Sequence, residues 1–252
     1  MPQSLNKPFA RALHAGLVPL ALAAAACSQE HRVAQFEQDG EVLAMGGGDA
    51  GATGACVLCH GLQGQGDGQL VPRLAGMDRG YFLQQLENYD NGARDHAQMT
   101  WIAGRLDNPA RVKLADYYAA LPVTAPVAQP AAGPVADCPA PAIVALYHQG
   151  DPARGIEACA TCHGDAGQGV GTGNPPLAGQ PALYLAEQLK LWRTGKRYGD
   201  ALDAMTHVSR LLADAEVGPI ADYSAALPGA TPYPVPPATC PPARRPDPRS
   251  GA

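Results

Sequence analysis

Two short segments of the chain contain the residue types with the most specific chemistry. Both have the pattern Cys-x-x-Cys-His, at residues 56–60 and 159–163. Two thiols one helical turn apart can add to the two vinyl groups of one haem, and the adjacent histidine then lies on the same face to ligate the iron. We therefore predict two covalently attached haem c groups per chain. The predicted attachment and iron-binding residues are Cys56, Cys59, His60, Cys159, Cys162 and His163.

Two other kinds of site use similar cysteine spacing. A thioredoxin-like motif belongs in an α/β context, and no run of this chain alternates apolar and polar residues convincingly. A zinc site built from four cysteines needs neither a histidine after each pair nor a repeated domain around it. Both alternatives fit the sequence less well than haem attachment.

Each haem iron needs a second axial ligand from elsewhere in its half. Met99 and Met205 occupy matching places, shortly after a Gly-x-Arg sequence and ahead of the last helix, where we expect a loop. A lone methionine often fills a gap in a core, but two at matched places favour ligation. His96 and His207 are nearby competitors at non-equivalent positions. Thioether ligation raises the reduction potential and leaves no open position on the iron, which predicts one-electron exchange.

The two halves of the chain repeat one another in order. The offset is 103 residues from Cys56 to Cys159 and 106 residues from Ala115 to Ala221, so the second half has a three-residue insertion between these points. A single repeat of this length indicates a duplicated domain.

Helical spacing of apolar residues predicts an all-α fold of two tandem domains. In each half one helix leads into the cysteine motif and a second follows Leu-Ala-Gly. The second helix is expected to end at Gly92 in the first half and to run from Pro181 to Gly195 in the second. A last helix is expected to begin at Asp107 or Asp214 as N-cap and to stop before a proline.

Composition divides the chain into five segments. Residues 122–141 hold six prolines, which favours a semi-rigid spacer between the halves. The predicted segments are a signal peptide at 1–27, an N-terminal domain at 40–122, a proline-rich linker at 123–141, a C-terminal domain at 142–228 and a proline-rich tail at 229–252.

The N-terminus has the pattern of an export signal. Lys7 and Arg11 precede an apolar run over 15–26 that ends in small residues before Cys27. The end of this run resembles a bacterial lipoprotein box, which predicts lipidation of Cys27; simple cleavage is the alternative. We expect a periplasmic protein, anchored to the membrane if Cys27 is lipidated.

Two further cysteines, Cys138 and Cys240, lie outside the haem motifs. Each is followed by proline and lies beyond a predicted domain. In an oxidising compartment such a pair favours a disulfide, with two free thiols as the alternative.

Composition and charge narrow the class of partner. Three phenylalanines and two tryptophans in 252 residues are few for two cores, which favours a large apolar filler such as haem. The formal charge is −5, and loss of residues 1–26 with Lys7 and Arg11 makes it −7. Nucleic-acid binding needs a basic footprint, so we expect redox proteins with basic docking patches as partners, and no nucleic acid.

Over residues 40–228 the chain resembles the cytochrome c4 family, dihaem electron carriers of the class I cytochrome c fold. Besides the cysteine motifs, the resemblance lies in residues 72–76 (Pro-Arg-Leu-Ala-Gly), 175–180 (Pro-Pro-Leu-Ala-Gly-Gln), 92–94 and 195–197. It implies two axial pairs and two proline carbonyls that accept hydrogen bonds from the proximal histidines. The implied pairs are His60 with Met99 and His163 with Met205, and the implied carbonyls belong to Pro72 and Pro175.

The resemblance also implies partners, namely quinol-oxidising complexes as donors and terminal oxidases or other reductases as acceptors. Two alternatives stay open at this point. One is a haem enzyme, such as a dihaem peroxidase or thiosulfate dehydrogenase, which is expected to lack or release a distal methionine at one haem. The other is a cytochrome subunit dedicated to one membrane dehydrogenase or reductase.

Overall fold

The computed structural model describes residues 39–123 and 139–229. The predictions for the signal peptide, Cys27, Cys138 and Cys240 lie outside these residues. Within them the secondary structure is helical, with two isolated β-bridges and no strand. This confirms the predicted all-α fold. In these two ranges no helix is long and apolar enough to cross a membrane.

The two described halves have the same order of α-helices. The first half contains α1 (Gly40–Gly46), α2 (Val57–His60), α3 (Arg79–Asp90), α4 (Ala97–Ala103) and α5 (Asn108–Ala120). The second half contains α6 (Pro141–Gln149), α7 (Cys159–His163), α8 (Ala182–Arg193), α9 (Ala204–Leu211) and α10 (Asp214–Ala226). Short 3-10 turns lie at Gly48–Ala50, Ala52–Gly54 and Ala201–Asp203. The duplication seen in the sequence is therefore a duplication of structure.

The last helices of the two halves are capped differently. Asp107 is the N-cap of α5, and its side chain accepts a hydrogen bond from the Ala110 N–H at 2.8 Å, as predicted. The same prediction for Asp214 is wrong, because Asp214 is already inside α10 and Ala213 is the N-cap. The Glu216 carboxylate accepts from the Ala213 N–H at 2.7 Å, so the cap of α10 comes from inside the helix.

Each half has its own apolar core. In the first half Phe82 of α3 stacks on Tyr118 of α5, with ring centroids 5.5 Å apart. In the second half Tyr147 of α6 is fully buried, and its hydroxyl donates to the carbonyl oxygen of Gly164 at 2.9 Å. Gly164 directly follows the cysteine motif, so this bond fixes α6 against the motif.

The two halves pack tightly against each other, a relationship that the sequence left open. Arg94 and Arg197 form an antiparallel bridge between them. The Tyr198 N–H donates to the Ala93 carbonyl at 2.8 Å. The side chain of Arg73 donates to the Ala178 carbonyl at 2.9 Å. Backbone and side chains therefore both join the halves.

Arg94 and Arg197 lie at the centre of this interface. Arg94 is 4% exposed and Arg197 is 2% exposed. Arg94 donates to Gln85, Tyr184 and Gln188 at 2.7–2.9 Å. Arg197 donates to Gln188, Tyr81 and Gln85 at 2.7–2.9 Å. Among the described residues neither arginine forms an ion pair, so two buried positive charges are held by neutral oxygens.

A charged cluster at the surface of the second half makes stability depend on pH. The Arg154 guanidinium donates to Asp151 at 2.6 Å and to both oxygens of Glu216 at 2.8 and 2.9 Å. The hydrogen bonds from Arg154 hold the pKa of Glu216 below its ordinary value of 4.5. A folded-state pKa below the unfolded value contributes stability above the unfolded pKa, and this is lost as the pH falls through the folded value.

We therefore expect the substitution Arg154→Met to reduce the loss of stability on acidification below pH 4.5. The measurement is the free energy of unfolding across the acid range, compared with wild type. Arg105→Met is the matched control, since Arg105 stacks on the Trp101 ring at 4.2 Å. An unchanged acid dependence in Arg154→Met would contradict the prediction.

Candidate haem-binding sites

The two motif histidines lie at the ends of the short helices α2 and α7 and are buried. His60 is 8% and His163 is 7% exposed. The Nδ1 atom of His60 lies 2.9 Å from the Pro72 carbonyl oxygen, and that of His163 lies 2.9 Å from the Pro175 carbonyl oxygen. A carbonyl can only accept, so Nδ1 carries the proton and Nε2 has a free lone pair. Each ring is thus held in the tautomer that can ligate a metal through Nε2.

Burial also sets the charge of these rings. Loss of solvation lowers the pKa of His60 and of His163 below the ordinary value of 6.5, against the opposing effect of the proline carbonyls. Both imidazoles are therefore neutral at neutral pH, which is the form that binds iron.

The first cysteine of each motif is not an activated thiolate. Burial raises the pKa of Cys56, and it raises that of Cys159 to about 11. A thioredoxin-like thiol needs a lowered pKa, so the structure argues against that alternative. Cys59 is exposed and its Sγ lies 3.9 Å from the Gln98 side-chain nitrogen at the start of α4.

Both candidate methionine ligands lie in helices, and the expectation of a loop is wrong. Met99 is in α4 and Met205 is in α9. Their backbone N–H groups are satisfied by side chains that precede each helix, which allows a helix to begin there. His96 accepts from the Met99 N–H through Nδ1 at 3.2 Å, and Asp200 accepts from the Met205 N–H at 2.6 Å.

In the second half the candidate residues surround one cavity of about 120 Å³. Its lining includes Cys159, Cys162, His163, Pro175 and Met205. Apolar side chains form much of the remaining wall, namely Leu177, Leu185, Leu189, Trp192, Val208 and Ile220. An apolar cavity with a thiol pair, a neutral imidazole and a thioether fits a haem attached through both cysteines.

This cavity extends to the first half of the chain. Met77 and Tyr81 contribute to its wall, together with the buried Arg197. A buried guanidinium fits the carboxylate groups that haem carries, because arginine pairs well with carboxylates. Met77 has no methionine counterpart in the second half, so sequence reasoning gave it no role.

In the first half two candidate residues pack against a single apolar cluster. Cys56 and Met99 both pack against the core that contains Phe82 and Tyr118. His60 lies four residues after Cys56 and is oriented by Pro72, as described above.

Two helical repeats, each with a buried neutral imidazole beside a thiol pair, define a tandem c-type cytochrome. A family model described as cytochrome c matches residues 153–223. The chain is 39% identical over 188 residues to the thiosulfate dehydrogenase electron acceptor of Stutzerimonas stutzeri, covering 74% of this chain and 85% of that protein. It is 34% identical to cytochrome c4 of Thiocapsa roseopersicina, covering 70% and 88%.

Solved structures give the same result. Reduced recombinant cytochrome c4 from Pseudomonas stutzeri superposes with a TM-score of 0.59 at 27% identity, covering 68% of this chain and 93% of that one. The thiosulfate dehydrogenase TsdBA from Marichromatium purpuratum gives a TM-score of 0.64 at 40% identity. The match covers 77% of this chain but only 40% of TsdBA. The chain belongs to the cytochrome c4 family and is a dihaem c-type electron carrier.

Proposed function

We propose that this protein is a periplasmic carrier that accepts single electrons from a thiosulfate dehydrogenase and passes them to a terminal oxidase or reductase. The donor is proposed from the relatives named as thiosulfate dehydrogenase electron acceptors and from the similarity to part of TsdBA. The observation that most strongly supports a carrier is the cavity lined by both His163 and Met205. A site with a protein ligand for each axial position leaves none for a substrate.

In this proposal each half provides its own ligands. His60 and Met99 form one axial pair, and His163 and Met205 form the other. Haem, when attached through the cysteines, supplies reversible one-electron chemistry. The Pro72 carbonyl holds His60 in its ligating tautomer, and Pro175 does the same for His163. Apolar walls exclude water from the site, and this suppresses side reactions.

The position of the cavity in the second half supports electron exchange within the chain. Its wall includes Met77 and Tyr81 of the first half. The second site therefore reaches the interface between the halves, where Tyr81 also accepts a hydrogen bond from Arg197 at 2.7 Å. One half can then receive an electron from the donor while the other passes one on.

Three parts of the proposal concern residues outside the described ranges. They are export through residues 1–27, lipid attachment at Cys27, and a disulfide between Cys138 and Cys240. Mass spectrometry of the exported protein tests the second and third directly.

The function is tested with the exported holoprotein, thiosulfate and a purified thiosulfate dehydrogenase. We expect no haem reduction by thiosulfate alone and full reduction of both haems once the dehydrogenase is added. A quinol-oxidising complex with its quinol is the comparison donor. If the protein oxidises thiosulfate or consumes peroxide without a partner, it is an enzyme and the carrier proposal is wrong. If only the quinol-oxidising complex reduces it, the proposed donor is wrong.

A further inference from the structure

The turn that leads into α9 has an unfavourable backbone conformation. Leu202 and Asp203 have φ values of 60° and 54°, and they are the non-glycine residues with positive φ among the described residues. This left-handed region is disfavoured for residues with a Cβ. The Leu202 side chain is 99% exposed, so its burial does not stabilise the turn. Other contacts must hold this conformation in place.

Asp200 provides those contacts. Its Oδ2 atom accepts from the Met205 N–H at 2.6 Å, and its Oδ1 accepts from the Thr206 hydroxyl at 3.3 Å. The backbone carbonyl of Asp200 also accepts from the Asp203 N–H at 3.2 Å. The half-buried Asp200 thus closes the strained turn at Leu202 and Asp203, and it also binds the N-terminal residues of α9.

In the first half a different residue accepts the hydrogen bond from the N–H of the candidate methionine. There the Met99 N–H donates to the imidazole of His96, which is the N-cap of α4. In the second half the N-cap position is Asp203, whose side chain makes no capping bond. The anchor is Asp200, three residues earlier, in the stretch where the second half is longer. The contact to the methionine N–H is present in both halves although the loop and the anchoring side chain differ.

We propose that Asp200 is the positioning residue for Met205. By fixing the Met205 backbone and the strained turn before it, the carboxylate directs the thioether into the cavity that His163 also lines. It also places a negative charge beside the second haem site, where the first site has an imidazole. The inference rests on the proposed ligation by Met205.

The test uses holoprotein variants and the methionine-to-iron charge-transfer band, with imidazole as a probe for a displaced methionine. Asp200→Ala is expected to lose this band at one of the two haems and to bind imidazole there about tenfold more tightly. Asp200→Asn keeps an acceptor oxygen, so it should retain the band while the potential of the second haem rises. Asp203→Asn removes the same charge near Met205 without touching its N–H, and should keep both the band and the imidazole affinity of wild type.

Asp200→Ala with both bands and wild-type imidazole affinity would overturn the proposal. If Asp200→Ala fails to take up its second haem, Asp200→Asn is the deciding variant. An unchanged reduction potential of the second haem in Asp200→Asn then overturns the proposal. Met205→Ala separates this inference from the proposed ligation. Loss of one band in Met205→Ala but not in Asp200→Ala refutes the positioning role alone, whereas no loss in Met205→Ala refutes ligation by Met205.

Discussion

The double variant Cys159→Ser, Cys162→Ser is expected to carry one covalent haem per chain in place of two. A serine hydroxyl cannot form the thioether that attaches haem, and His163 alone provides no covalent link. The first half keeps its own cysteine pair, so its haem is unaffected. We expect the ratio of haem to protein to fall by half, and a reductive titration to take up one electron per chain.

Two controls make this result specific. Thr161→Ser changes the same motif without removing a thiol and should keep both haems. The reciprocal variant Cys56→Ser, Cys59→Ser should retain only the second haem. This haem should show its own reduction potential and spectrum. Two covalent haems in the first double variant would show that the second motif is not an attachment site.

Removal of the two arginines at the centre of the interface, Arg94 and Arg197, is expected to uncouple the two halves. Arg94 and Arg197 are buried and share Gln85 and Gln188 as acceptors. Breaking a buried hydrogen-bond network of this size costs about 3 kcal/mol or more. The variant Arg94→Ala, Arg197→Ala should therefore unfold in denaturant at lower concentration and in two transitions. Electron exchange between its haems, followed after a rapid flash reduction, should slow.

Arg79→Ala is the matched control for the interface variant. Arg79 is an exposed arginine that pairs with Asp116 in the first half. Exposed pairs contribute about 1 kcal/mol or less, so this variant should unfold like wild type and exchange electrons at the wild-type rate. A double interface variant with unchanged unfolding and unchanged electron exchange would mean that these arginines do not couple the halves.

Features with a local sequence signature were predictable. The helical spacing of Phe82, Leu83, Leu86 and Tyr89 predicts one apolar face of α3. Phe82, Leu86 and Tyr89 are buried, and Leu83 is half-buried. The duplicated cysteine motif fixes the repeat, and the repeat in turn matches Met99 with Met205. In each case residues close in sequence, or equivalent in two copies, contain the information.

The interface and the methionine anchors were not predictable in this way. Arg73 and Gln180 exchange hydrogen bonds across 107 positions, and a single sequence has no periodicity that links them. The repeated Gly-x-Arg was visible, but nothing local shows that its arginine enters the opposite half. The helices that hold the methionines are short, and their first N–H groups depend on His96 and Asp200, whose capping role depends on three-dimensional geometry.

The hydrogen bonds made by Arg94 and Arg197 are related by the repeat: a shift of 103 residues converts each set of partners into the other. Arg94 donates to Tyr184 of the second half, and Arg197 donates to Tyr81, its equivalent in the first. This is an isologous contact, the kind that two identical subunits make in a symmetric homodimer. Because both copies belong to one chain, their pairing depends on an effective concentration set by the linker and not on the amount of protein. The arginine hydrogen bonds involve no residue of 199–204, the stretch before Met205, so the two electron sites can diverge while this network stays the same.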